Sequence, residues 1–176
     1  YVSFFMDPEY QKKLEKQGYR FLGDHSAIKV CDWTKKSISG EGVCYKEKFY
    51  GINCHKCGQM SLTVNFCDFD CIFCWRTKHN EPFVKFDDPK KVLDLINEKQ
   101  IKLLSGFGGK ENIDEKKYKE SKEIKHLAIS LTGETLYYPK LNEFIKESHE
   151  RGYTTFVVTN ASQPNILKKI EPPTQL

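Results

Sequence analysis

Seven cysteines, all between positions 31 and 74 of 176 residues, constrain this chain more than any other feature. An odd number crowded into one segment argues against a disulfide framework. It argues instead for metal or redox chemistry in a reducing compartment, so a cytoplasmic protein is expected. Three of them, Cys67, Cys71 and Cys74, stand at C-x3-C-x2-C spacing in Asn65-Phe66-Cys67-Asp68-Phe69-Asp70-Cys71-Ile72-Phe73-Cys74-Trp75-Arg76. Thiolates this close in sequence grip one small inorganic object. A structural zinc ion takes four ligands in a closed tetrahedron, and Cys54-x2-Cys57 followed by Cys71-x2-Cys74 mimics a zinc ribbon. A four-iron cubane takes one thiolate per iron, so three cysteines leave one iron open. Zinc would leave Cys31, Cys44 and Cys67 without a role, which favours the cluster.

Around this segment the chain reads as alternating strands and helices. Asp7-Pro8 opens a polar helix over 7–17 that Gly18 ends. Residues 19–29 are irregular or a short strand, and 31–57 show little periodicity. Leu62, Val64 and Phe66 alternate with polar residues, which predicts a strand running straight into the cysteine loop. Asp88-Pro89 starts a helix to about Leu104, with Val92, Leu95 and Ile96 on one face. The charged stretch 110–125 reads as a solvated helix or insertion. The apolar run 126–131 is a buried strand ending in Thr132-Gly133-Glu134. Pro139 starts a further helix, with Leu141, Phe144, Ile145 and His149 inward, and Gly152 stops it. Residues 153–159 form a third strand, and Pro164 opens a helix over 163–170.

This order is that of right-handed parallel crossovers, so the expected class is α/β, a partial (βα) barrel. Residues 61–176 would be the first half of its core, stopping at Pro173-Thr174-Gln175-Leu176 where a fourth strand ought to begin. Residues 1–60 would be an N-terminal extension carrying Cys31, Cys44 and Cys57. Active groups gather at the carboxyl ends of such strands, and Cys67, Gly133-Glu134 and Asn160 all follow strand ends in this reading. Composition adds limits. No run approaches the roughly 20 apolar residues of a membrane span, and Tyr1-Val2-Ser3-Phe4-Phe5-Met6 lacks the basic region of a secretory signal. The net charge of +4 permits nucleic-acid binding without demanding it.

The Cys67, Cys71, Cys74 spacing, with Phe73 before the last cysteine, resembles the signature of the radical S-adenosylmethionine enzymes. That resemblance implies a [4Fe-4S] cluster whose open iron chelates the amino and carboxylate groups of S-adenosyl-L-methionine. One electron then cleaves the sulfonium bond and releases a 5′-deoxyadenosyl radical. It further implies Phe73 against the adenine, Gly133 and Glu134 at the cofactor's amino group, and Thr159-Asn160 near its ribose, although Asn160 also suits an ordinary turn.

Within that superfamily the chain resembles the 4-demethylwyosine synthases. The resemblance is carried by Ala27-Ile28-Lys29-Val30-Cys31-Asp32-Trp33, Cys44-Tyr45-Lys46-Glu47-Lys48-Phe49-Tyr50-Gly51-Ile52, His55-Lys56-Cys57, Cys71-Ile72-Phe73-Cys74-Trp75-Arg76, Ile129-Ser130-Leu131-Thr132-Gly133-Glu134 and Val157-Val158-Thr159-Asn160. It implies conversion of 1-methylguanosine, beside the anticodon of phenylalanine tRNA, into a tricyclic base with two carbons from pyruvate. The N1 methyl group loses hydrogen to the radical, the resulting carbon attacks pyruvate, carboxylate leaves and the ring closes. Cys31, Cys44 and Cys57 would hold a second [4Fe-4S] cluster suited to pyruvate. Lys46 would form a Schiff base with the ketone or neutralise the carboxylate. The electron would come from a separate donor such as a flavodoxin or ferredoxin. The anticodon loop would meet Lys29, Lys35, Lys36, Lys46, Lys48, Arg76 and Lys78 interleaved with Trp33, Tyr45, Tyr50 and Trp75. Thr135 stands where the family usually has proline, and Cys54 where it has a small or polar residue; Cys54 reads as a spare thiol. Two other readings compete: a radical enzyme using Cys31, Cys44 and Cys57 for an auxiliary cluster with a different substrate, and a non-catalytic zinc-ribbon RNA-binding module.

Overall fold

Alternation along three short parallel strands decides which face of the molecule is core and which is site. In a computed structural model, which describes residues 6–77, 80 and 85–176, one sheet runs in the order β1-β2-β3-β4-β5. β1 (Arg20–Phe21) and β2 (Ala27–Lys29) form an antiparallel edge. β2 pairs antiparallel with β3 (Cys57–Ser61), and β3, β4 (His126–Ile129) and β5 (Thr154–Val157) are parallel. The register aligns Cys57 with His126 and Thr154, and Gln59 with Ala128 and Phe156. Because side chains alternate across a strand, Met60, Leu127, Ile129 and Val157 fall on one face. They are buried there with Ile28 and with Val92, Ile96, Phe144 and Ile145 from the helices. Cys57, Gln59 and Phe156 fall on the other, where Lys46 approaches Cys57 and Phe156.

The covering helices are α4 (Pro89–Leu104) and α6 (Leu141–Glu150). The Asp88 side chain caps α4 by accepting from the Lys90 N–H at 2.9 Å, with Pro89 at the first position, as the sequence predicts. Before the sheet, α1 (Pro8–Lys16) is capped by Asp7, which accepts from the Glu9 N–H at 3.0 Å. Its Tyr10 and Leu14 pack on Ala27, Val64 and Leu131 and so close one end of the open face.

Several expected boundaries move. The strand before the cysteine loop is β3, and Leu62 to Phe66 are turn and loop. The ladder to β4 ends at Met60, whose carbonyl takes the N–H groups of both Ser130 and Leu131, and the Ser61 hydroxyl then turns the chain by accepting from the Thr63 N–H at 3.1 Å. Leu62 and Val64 are buried all the same, but in two different clusters, which is why their spacing imitates a strand. β3 therefore runs across the 60/61 boundary between the expected extension and core. Residues 31–57 are not irregular throughout; they hold α2 (Asp32–Ile38), α3 (Tyr45–Tyr50) and a 3-10 turn (Cys54–Lys56). The charged stretch contains α5 (Glu115–Glu120). Pro139 lies before α6, which follows a 3-10 turn (Thr135–Tyr137), and α7 is only Pro164–Leu167. At the chain's end Gln175 pairs parallel with Phe156 in a single bridge, extending the sheet beyond β5. Among the described residues no helix is long and apolar enough to cross a membrane.

Candidate active site: two cavities on one sheet

The first cavity sits at the carboxyl ends of the parallel strands and is lined by Cys67, Cys74, Arg76, Thr132, Gly133 and Thr135, among others. The loop that delivers the cysteines is tied through the backbone of one residue whose carboxylate is buried. Glu134 is 2% exposed, and its Oε1 accepts from the Leu136 N–H at 2.9 Å and the Thr159 hydroxyl at 2.6 Å. Its Oε2 accepts from the Asn160 N–H at 2.7 Å. Its backbone completes the knot: the N–H donates to the Phe66 carbonyl at 2.9 Å and the carbonyl accepts from the Thr63 hydroxyl at 2.9 Å. Gly133 is obligatory beside it. At φ +74° a Cβ would fall inside the Thr63 carbonyl oxygen, so the cysteine loop packs on bare backbone.

Asn160 reaches back over the loop. Its side-chain amide donates to Asp68 Oδ1 at 2.9 Å and lies 3.9 Å from Cys67 Sγ. Burial alone would raise the Asp68 carboxyl, but hydrogen bonds from Asn160 and Tyr137 help hold it below the usual range. Cys67, Gly133, Glu134, Thr159 and Asn160 thus converge. Phe73 does not join them. It is 83% exposed on the loop, beside a fully exposed Ile72, and lies outside the cavity lining. Glu134 faces internal donors rather than open space; three of its roughly four acceptor positions are taken.

The second cavity lies on the open face of the sheet and is lined by Cys31, Cys44, Cys54, Cys57, Lys46 and Phe156, among others. Three elements bring the cysteines here. Cys31 and Cys44 are the residues before α2 and α3, neither of which they cap through the side chain, and Cys57 opens β3 on its open side. Lys46 Nζ lies 4.0 Å from Cys57 Sγ and 4.6 Å above the Phe156 ring. Burial pushes the Cys57 thiol up to about 11 against the pull of Lys46. Cys54 shares the cavity, which its spacing did not reveal. Burial, then the Glu47 carboxylate, raises it to about 12, and its thiol donates to the Trp33 carbonyl at 3.7 Å. The Cys54 thiol is thus engaged with backbone, whereas Cys57 has the Lys46 ammonium beside it.

Among the described residues, no three Cys, His, Asp or Glu side chains converge closely enough to hold a single metal ion. The zinc-ribbon pairing is also parted, since Cys54 and Cys57 line one cavity and Cys74 the other. A cubane makes a different demand, because each thiolate binds its own iron and the three ring the cluster rather than meet at a point. Cys31, Cys44 and Cys57 all line the second cavity, whereas the first is lined by Cys67 and Cys74 and Cys71 lies outside its lining.

Around the cavities, Arg76 stacks on Trp75 at 3.6 Å and donates to the Tyr19 hydroxyl at 3.2 Å. Lys36 lies 4.8 Å from the Trp33 ring. Trp33, Tyr45, Tyr50 and Trp75 are exposed. Lys78 lies outside the described residues. Ser130 and Val158, which line both cavities, escaped notice in the sequence, although counting alternate positions from Ala128 and Phe156 reaches both.

No protein-family model matches the chain. It is similar over 97% of its length, at 41% identity, to an S-adenosyl-L-methionine-dependent tRNA 4-demethylwyosine synthase of Pyrococcus abyssi, covering 52% of that protein. It is 42% identical to the corresponding protein of Methanocaldococcus jannaschii, covering 56% of it, and 37% identical to the human protein, covering 24%. The chain therefore spans about half the length of the archaeal relatives it matches. A solved structure of TYW1 with a lysine–pyruvate adduct bound superposes with a TM-score of 0.88 at 42% identity, over 98% of this chain and 57% of that one. A crystal structure of archaeal TYW1 gives 0.79 at 39% identity, over 98% of this chain and 58% of that one.

Proposed function

Since this chain is a sequence and structural relative of the tRNA 4-demethylwyosine synthases across nearly all of its residues, we propose that it carries the two cofactor sites of a radical S-adenosylmethionine enzyme of that kind. The reaction is condensation of pyruvate with 1-methylguanosine at position 37 of phenylalanine tRNA. The observation that carries this reading is the second cavity. Lys46 stands there among Cys31, Cys44 and Cys57, and a relative of the same fold has a lysine–pyruvate adduct.

Cys67, Cys71 and Cys74 would hold one [4Fe-4S] cluster and Cys31, Cys44 and Cys57 the other. When bound, the first supplies the electron that releases a 5′-deoxyadenosyl radical from S-adenosylmethionine. The chain's own residues bind and aim. Gly133 and Thr132 offer backbone at the cavity wall to the cofactor's amino group. Glu134 keeps one acceptor position for that ammonium and otherwise fixes the strand ends, with Thr159 and Asn160 as its donors. Phe73 meets the adenine only if the loop tip turns inward. Lys46 holds the keto acid, by imine formation or by pairing with its carboxylate, and the apolar Phe156 face beneath it keeps water from that ammonium. Exposed Trp33, Tyr45, Tyr50 and Trp75, beside Lys36 and Arg76, suit the stacking and charge of an anticodon loop. A separate electron donor, such as a flavodoxin or ferredoxin, completes the system in the cytoplasm.

The test uses full-length protein reconstituted without oxygen, with methylated tRNA, labelled pyruvate, S-adenosylmethionine and reductant. Label should enter the tRNA; cofactor cleavage with no label in the tRNA sinks the reading. Cys44→Ala should retain cofactor cleavage while abolishing ring formation, because it disturbs only the second cavity. Loss of both activities together would count against a division of labour between the two cavities.

A further inference from the structure

The two cavities meet at Ser130 and Val158, which line both. Each residue follows the last position of a parallel strand, β4 and β5, and the Val158 N–H donates to the Ile129 carbonyl at 3.0 Å, which binds the two strand ends side by side. By alternation they continue the open face two positions beyond Ala128 and Phe156. Val158 stands out for its surroundings. It is an aliphatic side chain left 45% exposed between one cavity walled by Cys67, Cys74 and Arg76 and another walled by Cys57 and Lys46. Apolar surface held open inside a site is suited to a flat apolar face of a ligand rather than to water.

The reaction proposed above, on which this inference rests, makes a double demand on one atom. The methyl carbon of the base gives up hydrogen to a radical produced against the first cavity, and it forms a bond to the keto acid held in the second. One carbon reaches both without leaving the site only where the cavities adjoin. We propose that Val158 and Ser130 are the seat of the methylated guanine, with Val158 under the ring face and Ser130 at its edge, so that the methyl group lies across the seam. The seat selects substrate by shape, since a base too deep in either cavity loses its second encounter. Neither residue supplies a proton or a ligand to the chemistry.

The experiment uses the reconstituted full-length protein, tRNA whose guanine carries a trideuterated methyl group, pyruvate, S-adenosylmethionine and reductant. Two quantities are read: total 5′-deoxyadenosine, and the fraction of it that carries deuterium. Val158→Trp fills the seam and should lower the deuterated fraction by about tenfold or more, as misplacement of a reacting group by a fraction of its own size does. Val158→Ala, at an exposed position that does not threaten folding, should lower it about threefold or more, and Val158→Ile should restore it to within about twofold. General damage to the cofactor site would reduce cleavage and transfer together and leave the fraction unchanged. An unchanged fraction in Val158→Trp and Val158→Ala therefore overturns the seat, whatever happens to total cleavage. Wild-type protein that cleaves cofactor yet transfers no deuterium overturns the proposed function itself, and the two failures are distinct.

Discussion

At the residue scale, two positions carry more than their size suggests. Gly133 combines a left-handed backbone with contact against the Thr63 carbonyl. Gly133→Ala should therefore destabilise the fold by about 1–3 kcal/mol from the backbone conformation alone, with more from displacement of the cysteine loop. A urea midpoint that does not fall would contradict this account. His25 is wholly buried, placing Nδ1 2.6 Å from the Leu62 carbonyl and accepting the Asp87 N–H at Nε2 across 2.8 Å. Burial holds its pKa below the usual 6.5, outweighing the Leu62 carbonyl and the Asp87 carboxylate, which act the other way. The unfolded chain therefore takes up this proton at a higher pH than the folded one. Stability is complete above about pH 6.5 and falls as pH drops from there toward the lower folded value. Urea unfolding at pH 7 and pH 5 should show a loss that is smaller in a His25→Gln variant, and an equal loss in both proteins would exclude His25 as its source.

At the element scale, capping and crossover rhythm were legible, and loop geometry was not. Asp88-Pro89 and Asp7-Pro8 announce their helices because a side-chain acceptor and a preset φ act within two residues. Asp88→Ala should lower stability by about 1 kcal/mol, the ordinary worth of such a cap, read as a drop in thermal midpoint. A change within error would show that neither the cap nor the Lys140 contact to the same carboxylate, at 3.4 Å, holds that end of α4. The misplaced strand at 62–66 has a different origin. Leu62 and Val64 are buried by two separate clusters on either side of a turn, and a period of two cannot distinguish that from a pleated strand. The cysteine-rich segment offered little periodicity, since α2 buries only Ile38 as an apolar side chain and α3 buries none. The meeting of Glu134 with Thr159 and Asn160 could be anticipated from strand ends. That the carboxylate would be buried among internal donors could not, because those donors are 25 and 26 residues away along the chain.

At the scale of the whole molecule, the sheet has one blunted edge and one continuing edge. The antiparallel hairpin of β1 and β2 finishes one side, and Gln175 beside Phe156 extends the other. The Val157 N–H donates to the Gln175 carbonyl and the Thr155 N–H to the Thr174 hydroxyl, both at 3.0 Å. Removal of residues 172–176 should unprotect those two amides in hydrogen exchange while leaving Leu127 and Ile129 slow; continued protection of Thr155 and Val157 would show that the extra pairing contributes nothing. The alternation of β3 has a final consequence. Cys57 and Gln59 belong to the cavity, while Gly58 and Met60 belong to the core, where a Cβ on Gly58 would already press within 2.8 Å of Ile124. Site and core are thus written on the odd and even numbers of a single strand. A length change of one residue between Cys57 and Ser61 exchanges the two sets wholesale, and a change of two restores the assignment. That parity binds only within β3; the turn and loop at 62–66, which lead on to Cys67, can change length by any number without moving Cys57 off the cavity face.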